Sequence, residues 1–265
     1  VREKDKQNER RNGSMSQHRT IRRYKNEEID WQTLEHAALA ASTSEYLQSY
    51  TIIRVTSSDI RHQIARISGS QVLQQENGEL FIFVVDSARN IRWAQQEDPN
   101  IDISRFTDWN AFLAGVFDAT IGAQSMLSYG EEHGLGGCYL GSILNDPQEM
   151  INLLNLPPYT FPILGLIMGI PDDDPDAKPR LPYEFTCGEN SYPALSADLW
   201  DAKHESYNDQ LIHYYSSRSE TFKHTSISNG ARDFTDLLMK HSSAPTKHRL
   251  EIGTILQKQG FSLPQ

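Results

Sequence analysis

The chain has little cysteine: its 265 residues include two, Cys138 and Cys187, far apart in sequence. That excludes a disulfide framework, and both are expected to be free thiols in a reducing compartment. No apolar run reaches membrane length. The longest, FPILGLIMGI (161–170), has ten residues with a proline and two glycines, about half of what a span requires. A cationic surplus is also missing. The formal net charge is −10, which argues against nucleic acid as the main partner, because binding the phosphate backbone needs a broad positive footprint. The nine histidines show no H-E-x-x-H and no paired Cys/His spacing, so no metal is expected. There is no G-x-S-x-G elbow for a serine hydrolase, and no strand is followed by a dinucleotide-type glycine fingerprint. What these absences leave is a soluble chain expected in the cytoplasm. At this length it can bury roughly 70–75% of its unfolded surface without staples.

The first stretch, VREKDKQNERRNGSMSQ (1–17), is charged and has no apolar h-region, so it does not read as a secretory signal. It reads as a disordered leader or expression remnant, with Met15 a candidate start. Beyond it, residues 18–265 read as a single domain with a helical C-terminal excursion from about 199. DWQTLEHAALAAST opens on the N-cap candidate Asp30 and is ended by STS (42–44). TIIRV (51–55) predicts a strand, SSDIRHQIARIS (57–68) a capped helix, and ELFIFVVDS (79–87) an apolar strand. From about Asp108 to His133, Trp109, Phe112, Leu113, Val116, Phe117, Thr120, Ala123, Gln124 and Leu127 recur at helical spacing. That pattern predicts a long helix with a wide buried stripe, or one that builds a subunit interface, capped by Gly134. GGCYLGSI (136–143) and FPILGLIMGIP (161–171) read as extended chain around a helix at DPQEMINLLNL (146–156). Helices are expected again at 208–218, 231–241 and 248–260. The pattern predicts an α+β fold, a small sheet wrapped by helices.

Two short segments concentrate cations in this acidic chain. HRTIRRY (18–24) carries His18, Arg19, Arg22 and Arg23, and AKPRLP (177–182) carries Lys178 and Arg180 between prolines that restrict the backbone. Each segment alone reads as a solvated turn. Together they read as a phosphate site, where each charge contact at about 4 Å contributes about 4 kcal/mol at an effective dielectric near 20, and where arginine grips oxygens bidentately. DDDPD (172–176) lacks the glycine and distal glutamate of a calcium loop and reads as a solvated turn. Cys138 reads as a small core residue, and nothing marks a base beside Cys187.

HRTIRRY, ASTSEYLQSYTIIRV, ISGSQ, LAGVFDATIGAQSMLSYGEEHGLGGCYLGSILND, LLNLP, PILGLIMGIP and DDPDAKPRLP follow one another in this order. Together they resemble the oxygen-insensitive NAD(P)H nitroreductase and flavin reductase family, in its larger, NADPH-preferring group, from about His18 to Tyr215. The resemblance implies an intertwined homodimer with a small, mostly antiparallel sheet and non-covalent FMN at two interface sites. It also implies two-electron transfer from NAD(P)H to small acceptors, nitroaromatics, quinones or flavins, in a ping-pong cycle. Carried onto this sequence, His18, Arg19, Thr20, Lys178 and Arg180 would contact the FMN phosphate and its surroundings. Arg22 would face the N1–C2=O edge and stabilise negative charge there, as the catalytic residue. Ser42, Thr43, Ser44 and Tyr46 would line the flavin from the partner subunit, Gln71 would bond the pyrimidine edge, and Tyr139, Leu140 and Gly141 would run near N5. Arg218 and Lys223 are candidates for the NADPH 2′-phosphate. Ser142 stands where the group usually has glycine, and Glu45 where it tends to have serine, which would make the acceptor pocket more acidic. Ile21 would face the core and Arg23 the surface. The rival readings are a flavin reductase that releases reduced flavin, a non-catalytic FMN-binding redox sensor, and a structural interaction protein.

Overall fold

A computed structural model describes residues 18–216, 233–243, 249 and 251–262. Its sheet is built where the apolar runs predict strands. β1 (Tyr50–Val55), β2 (Glu79–Asp86), β3 (Gly136–Leu140) and β4 (Thr160–Gly169) form one sheet in the order β1-β2-β4-β3, every neighbouring pair antiparallel. β2 is central and buried on both faces, so it reads as a continuous apolar run. Its period-two alternation still sorts the core. Leu80, Ile82 and Val84 pack on one side with Ile64, Leu73, Ile143 and Met150, while Phe81 and Phe83 pack on the other with Leu34, Ala119, Ala123 and Met126.

The helices follow their caps. α1 (Trp31–Leu39) starts at Asp30, which accepts from Thr33 N at 3.1 Å, and α2 (Ser58–Ser68) starts at Ser57. α3 (Ala88–Glu97) is not predicted by the sequence pattern, because Ile91 is its one buried residue and leaves no apolar stripe. After the single turn α4 (Ser104–Thr107) comes the long helix α5 (Trp109–Glu132), capped by Asp108 and followed by Gly134 at φ +81°. α6 (Pro147–Leu153) begins with Asp146 and Pro147 as expected. At the C-terminus, α10 (Ile252–Lys258) brings Ile255, Leu256 and Phe261 against Phe112 and Phe161.

The buried stripe expected on α5 is corrected by the structure. Phe112, Ala123 and Leu127 are buried as expected, but Trp109, Leu113 and Phe117 are exposed and form, with Ile121, one ridge at four-residue spacing. The face turned to the sheet carries Gly115, Ala119, Gly122, Met126 and Gly130 instead. Small residues stand there because the sheet comes close: a Cβ on Gly115 would lie 2.7 Å from Val85 Cγ1 and 2.9 Å from Ser49 O.

Tertiary contacts divide the chain into two units, one running to Pro175 and joined by the segment from Lys247, the other spanning Asp176–Thr246. The second unit contains α7 (Tyr183–Thr186), α8 (Ala197–Ser216) and α9 (Phe234–Ser243). Within it, Tyr207 and Leu211 are buried, and Tyr207 meets Phe234 edge-on at 5.3 Å. α8 starts well before the expected 208, because its first turns bury little and carry no stripe. Among the described residues, no helix is long and apolar enough to cross a membrane.

Candidate active site

The cationic segment is fixed by the residues between its charges. Thr20 forms a parallel bridge with Gly137, and Ile21 N donates to Gly137 O at 3.0 Å, so residues 18–24 extend the β3 edge of the sheet. Ile21 faces the core, and a Cβ on Gly136 would lie 2.3 Å from Ile21 Cγ1, so only glycine admits this approach. The Tyr24 side chain is buried behind it, with its hydroxyl 2.7 Å from Ile21 O and 3.2 Å from Ile167 O. Burial pushes the Tyr24 phenol well above its ordinary range, with Cys138 and Asp173 adding and Arg22 and Arg61 opposing, so it stays a neutral donor.

With the backbone latched, the polar side chains are set. His18 Nδ1 lies 2.6 Å from Glu131 Oε1 at the C-terminal end of α5. Arg19 Nη1 pairs with the exposed Asp174 at 2.9 Å, while Arg19 Nε is buried without a hydrogen-bond partner. Arg22 is half-buried beside Cys138. Burial raises the Cys138 thiol, and the Arg22 guanidinium pulls against that rise by charge and hydrogen bonding. Burial also raises the Asp173 carboxyl, with the charges of Arg23 and Arg22 and their backbone N–H groups opposing. Arg23 is exposed, as expected.

Tyr139, Leu140 and Gly141 of the expected set lie on β3 and the turn after it, while Gln71 stands on a separate turn. Gln71 opens a single turn (Gln71–Gln74), and the next residue, Gln75, donates from Nε2 to Arg22 O at 3.4 Å. The Tyr139 hydroxyl donates to Gln124 Oε1 at 3.2 Å, and burial, helped by Glu131, raises its phenol far above the ordinary value. Leu140 points into the core, so only its backbone is available to a ligand. Gly141 begins a single turn (Gly141–Asn145), and its carbonyl accepts from Arg249 Nη2 at 2.7 Å.

Ser42, Thr43, Ser44 and Tyr46 stand elsewhere. Their loop is tied to α5 at Asp118, and Glu131 lies thirteen residues further along that helix, about 20 Å away at 1.5 Å per residue. Beside this loop, Ser44, Glu45, Leu47 and Ser49 line an open cleft of about 590 Å³ together with Leu113 and Phe117 of the exposed ridge. None of the cations of residues 18–24 lines that cleft; Arg105 does. Lys178 and Arg180 belong to the second unit, where Lys178 Nζ lies 5.8 Å from the centre of the Tyr215 ring. Arg218 and Lys223 lie outside the described residues. Glu131, Asp118 and Arg249 were missed by sequence reasoning. No periodicity or motif marks them, since each matters through a partner 69 to 113 residues away.

Along β3 the structure places imidazole, guanidinium and hydroxyl groups on one edge, with a buried guanidinium N–H that has no acceptor. Among the described residues, no cluster of three or more His, Cys, Asp or Glu has the makings of a metal site. The model described as "Nitroreductase family" matches residues 15–170, and "Nitroreductase family, C-terminal domain" matches 178–264. An NADPH-dependent oxidoreductase of Staphylococcus saprophyticus is 34% identical over 252 residues, covering 93% of this chain and 96% of that protein. A Cr(VI) reductase of a Pseudomonas species is 32% identical, covering 92% and 96%. The solved structure of an NADPH:FMN oxidoreductase from Vibrio harveyi, complexed with NAD+, superimposes with a TM-score of 0.74 at 28% identity, covering 94% of this chain and 96% of that one.

Proposed function

The chain belongs to the nitroreductase family, and from that premise we propose that it is an FMN-holding oxidoreductase that takes electrons from NAD(P)H, with NADPH the preferred donor. The observation that carries the proposal is the buried Arg19 Nε without an acceptor, within a set that also holds His18, Thr20 and Arg22. A buried donor is costly unless it is paired, and a phosphate oxygen is a partner of the right chemistry. His18, Arg19 and Thr20 are assigned to the phosphate, Arg22 to the electron-rich pyrimidine edge, and Gln71 and the Tyr139–Gly141 backbone to the ring. FMN, when bound, supplies the two-electron exchange between NAD(P)H and an oxidised acceptor, so no protein nucleophile is required. Arg22 contributes fixed positive charge in a half-buried place, where it acts more strongly than in water. Ile21, Tyr24 and Gly136 hold that charge in register with β3.

The site is assigned to a homodimer. On one chain, the cations at Glu131 and the Ser42–Tyr46 loop at Asp118 are held at separate levels of one helix. The exposed ridge of Trp109, Leu113, Phe117 and Ile121, which runs along the first half of that helix past Asp118, is the surface that a second copy would cover, letting the loop of one copy reach the cations of the other. Small flat oxidants (nitroaromatics, quinones, free flavins) are the proposed acceptor class. The test is the visible spectrum of the purified protein before and after anaerobic NADPH. Yellow protein that bleaches supports the reading, yellow protein that does not bleach leaves a binding module, and colourless protein that takes up no FMN overturns it. Turnover on a nitroaromatic, a quinone and free FMN then ranks the acceptors.

A further inference from the structure

Asp118 is a carboxylate 1% exposed in the middle of α5. Its oxygens accept from two backbone amides of one loop, Oδ1 from Ser44 N at 2.7 Å and Oδ2 from Ser49 N at 3.1 Å. Between those amides the chain takes an unusual path. Glu45, Tyr46 and Gln48 all have positive φ, 51°, 59° and 50°, and none is glycine. Side-chain-bearing residues hold such conformations only where surrounding contacts over-determine them. Here the contacts are Asp118 from below and Arg89 and Asn90 from the side, which donate to Gln48 O and Leu47 O. The result is presentation: Tyr46 stands 83% exposed, and Ser44 and Glu45 wall the cleft beside the apolar ridge. A loop that served only its own fold would not need a buried charge to project a tyrosine into solvent.

We infer that Asp118 is a positioning residue for the redox site of the opposite subunit, fixing the Ser42–Gln48 loop so that Ser42, Thr43, Ser44 and Tyr46 reach the flavin held by the cations of the second copy. This rests on the dimeric FMN reading above. Charge is what the role requires. A carboxylate accepts both amides, whereas the isosteric amide presents one acceptor and one mismatched donor, so Asp118→Asn releases one end of the loop without changing volume.

The test uses mixed dimers. Differently tagged Arg22→Ala and Asp118→Asn chains are co-expressed, and the doubly tagged heterodimer is purified. Each parent homodimer is expected to lose about tenfold or more in NADPH-driven turnover, since small misplacements in such sites cost factors of this order. In the heterodimer, one site combines both defects and the other has intact cations and an intact loop. It should recover about half of wild-type activity, as one of two symmetric sites is whole. Activity no higher than that of the parents would mean that Asp118 acts within its own subunit or only on folding, and would overturn the inference. So would an Asp118→Asn homodimer with wild-type turnover. Should Asp118→Asn fail to fold, Ser44→Pro removes one of the two amide donors from the loop side. The extended Thr43 before it (φ −132°, ψ 154°) tolerates a following proline, and Ser44→Ala separates loss of the amide from loss of the hydroxyl. The same rescue is expected from Ser44→Pro. Colourless or monomeric wild-type protein would instead overturn the reading on which this rests, and wild type shows that before any variant is made.

Discussion

His18 Nδ1 and Glu131 Oε1 stand 2.6 Å apart, joining the first cation of the N-terminal segment to the end of the long helix. An ionised carboxylate is acceptor-only, so Nδ1 donates to it, and Nε2 donates to an anion only when the ring carries a proton there as well. Glu131→Gln keeps the volume but weakens this orientation. FMN affinity, measured by fluorescence titration of stripped protein, should fall several-fold, less than the roughly tenfold or more that complete loss of a charge-assisted hydrogen bond of about 1.5–3 kcal/mol would give. Unchanged affinity would detach His18 from the phosphate.

Cys138 and Cys187 should differ in reactivity. Burial raises the Cys138 thiol, which keeps the nucleophilic thiolate scarce at neutral pH, and the side chain is also shielded from reagent. Cys187 is exposed. Iodoacetamide followed by peptide mass spectrometry should label Cys187 and spare Cys138. In Arg22→Ala the charge that lowers the Cys138 thiol is gone, so Cys138 should not become more reactive while the fold is kept. The same variant should bind FMN more weakly and lower its reduction potential; an unchanged potential would remove Arg22 from the role assigned to it.

Asp173 sets a pH dependence. Burial raises its carboxyl in the folded state, against the opposing Arg23 and Arg22. A group raised in this way favours the folded state fully below the unfolded carboxylate range, and that contribution is lost as pH rises through the folded value. At neutral pH the ionised group, whose burial outweighs the opposing Arg22 and Arg23, therefore opposes folding. Asp173→Asn should raise the melting temperature of FMN-free protein at about pH 7 and have little effect at about pH 3, below the ordinary carboxylate pKa. A pH-independent difference between the two melting curves would count against this assignment.

Phe117 is 57% exposed at the centre of the α5 ridge, so a glutamate there costs little within one chain. In a dimer it would place an unpaired charge in an apolar contact, which costs several kcal/mol. Phe117→Glu should sediment as a folded monomer and lose FMN, because each site then lacks its second half. A dimeric, yellow Phe117→Glu would move the interface elsewhere.

Much of this fold was legible locally. The strands at 50–55, 79–86 and 160–169 and the helices behind Asp30, Ser57, Asp108 and Asp146 follow from alternation, apolar runs and caps, which depend on near neighbours in sequence. α3 was not legible, since one buried residue makes no period. The cationic half of the site could be read as a cluster in HRTIRRY, because its residues are adjacent. Glu131 and Asp118 could not, since nothing in GEEHG or FDATIG distinguishes a carboxylate that will be paired from one that will be solvated.

The sequence by itself determined that the chain is an α+β protein with a cation-rich segment behind residue 17, because hydrophobic period, caps and charge clusters are properties of neighbours along the chain. The tertiary structure decided which face of α5 meets the sheet. The aromatic stripe at Trp109, Leu113 and Phe117 looked like core, yet close approach of β2 and its flanking loop leaves no room for a side chain at Gly115, and Trp109, Leu113 and Phe117 stand outward. It also decided that the cations and the Ser42–Tyr46 loop are held at separate levels of one helix. Spacing along the chain carries no record of that separation; it arises when a single straight helix fixes both.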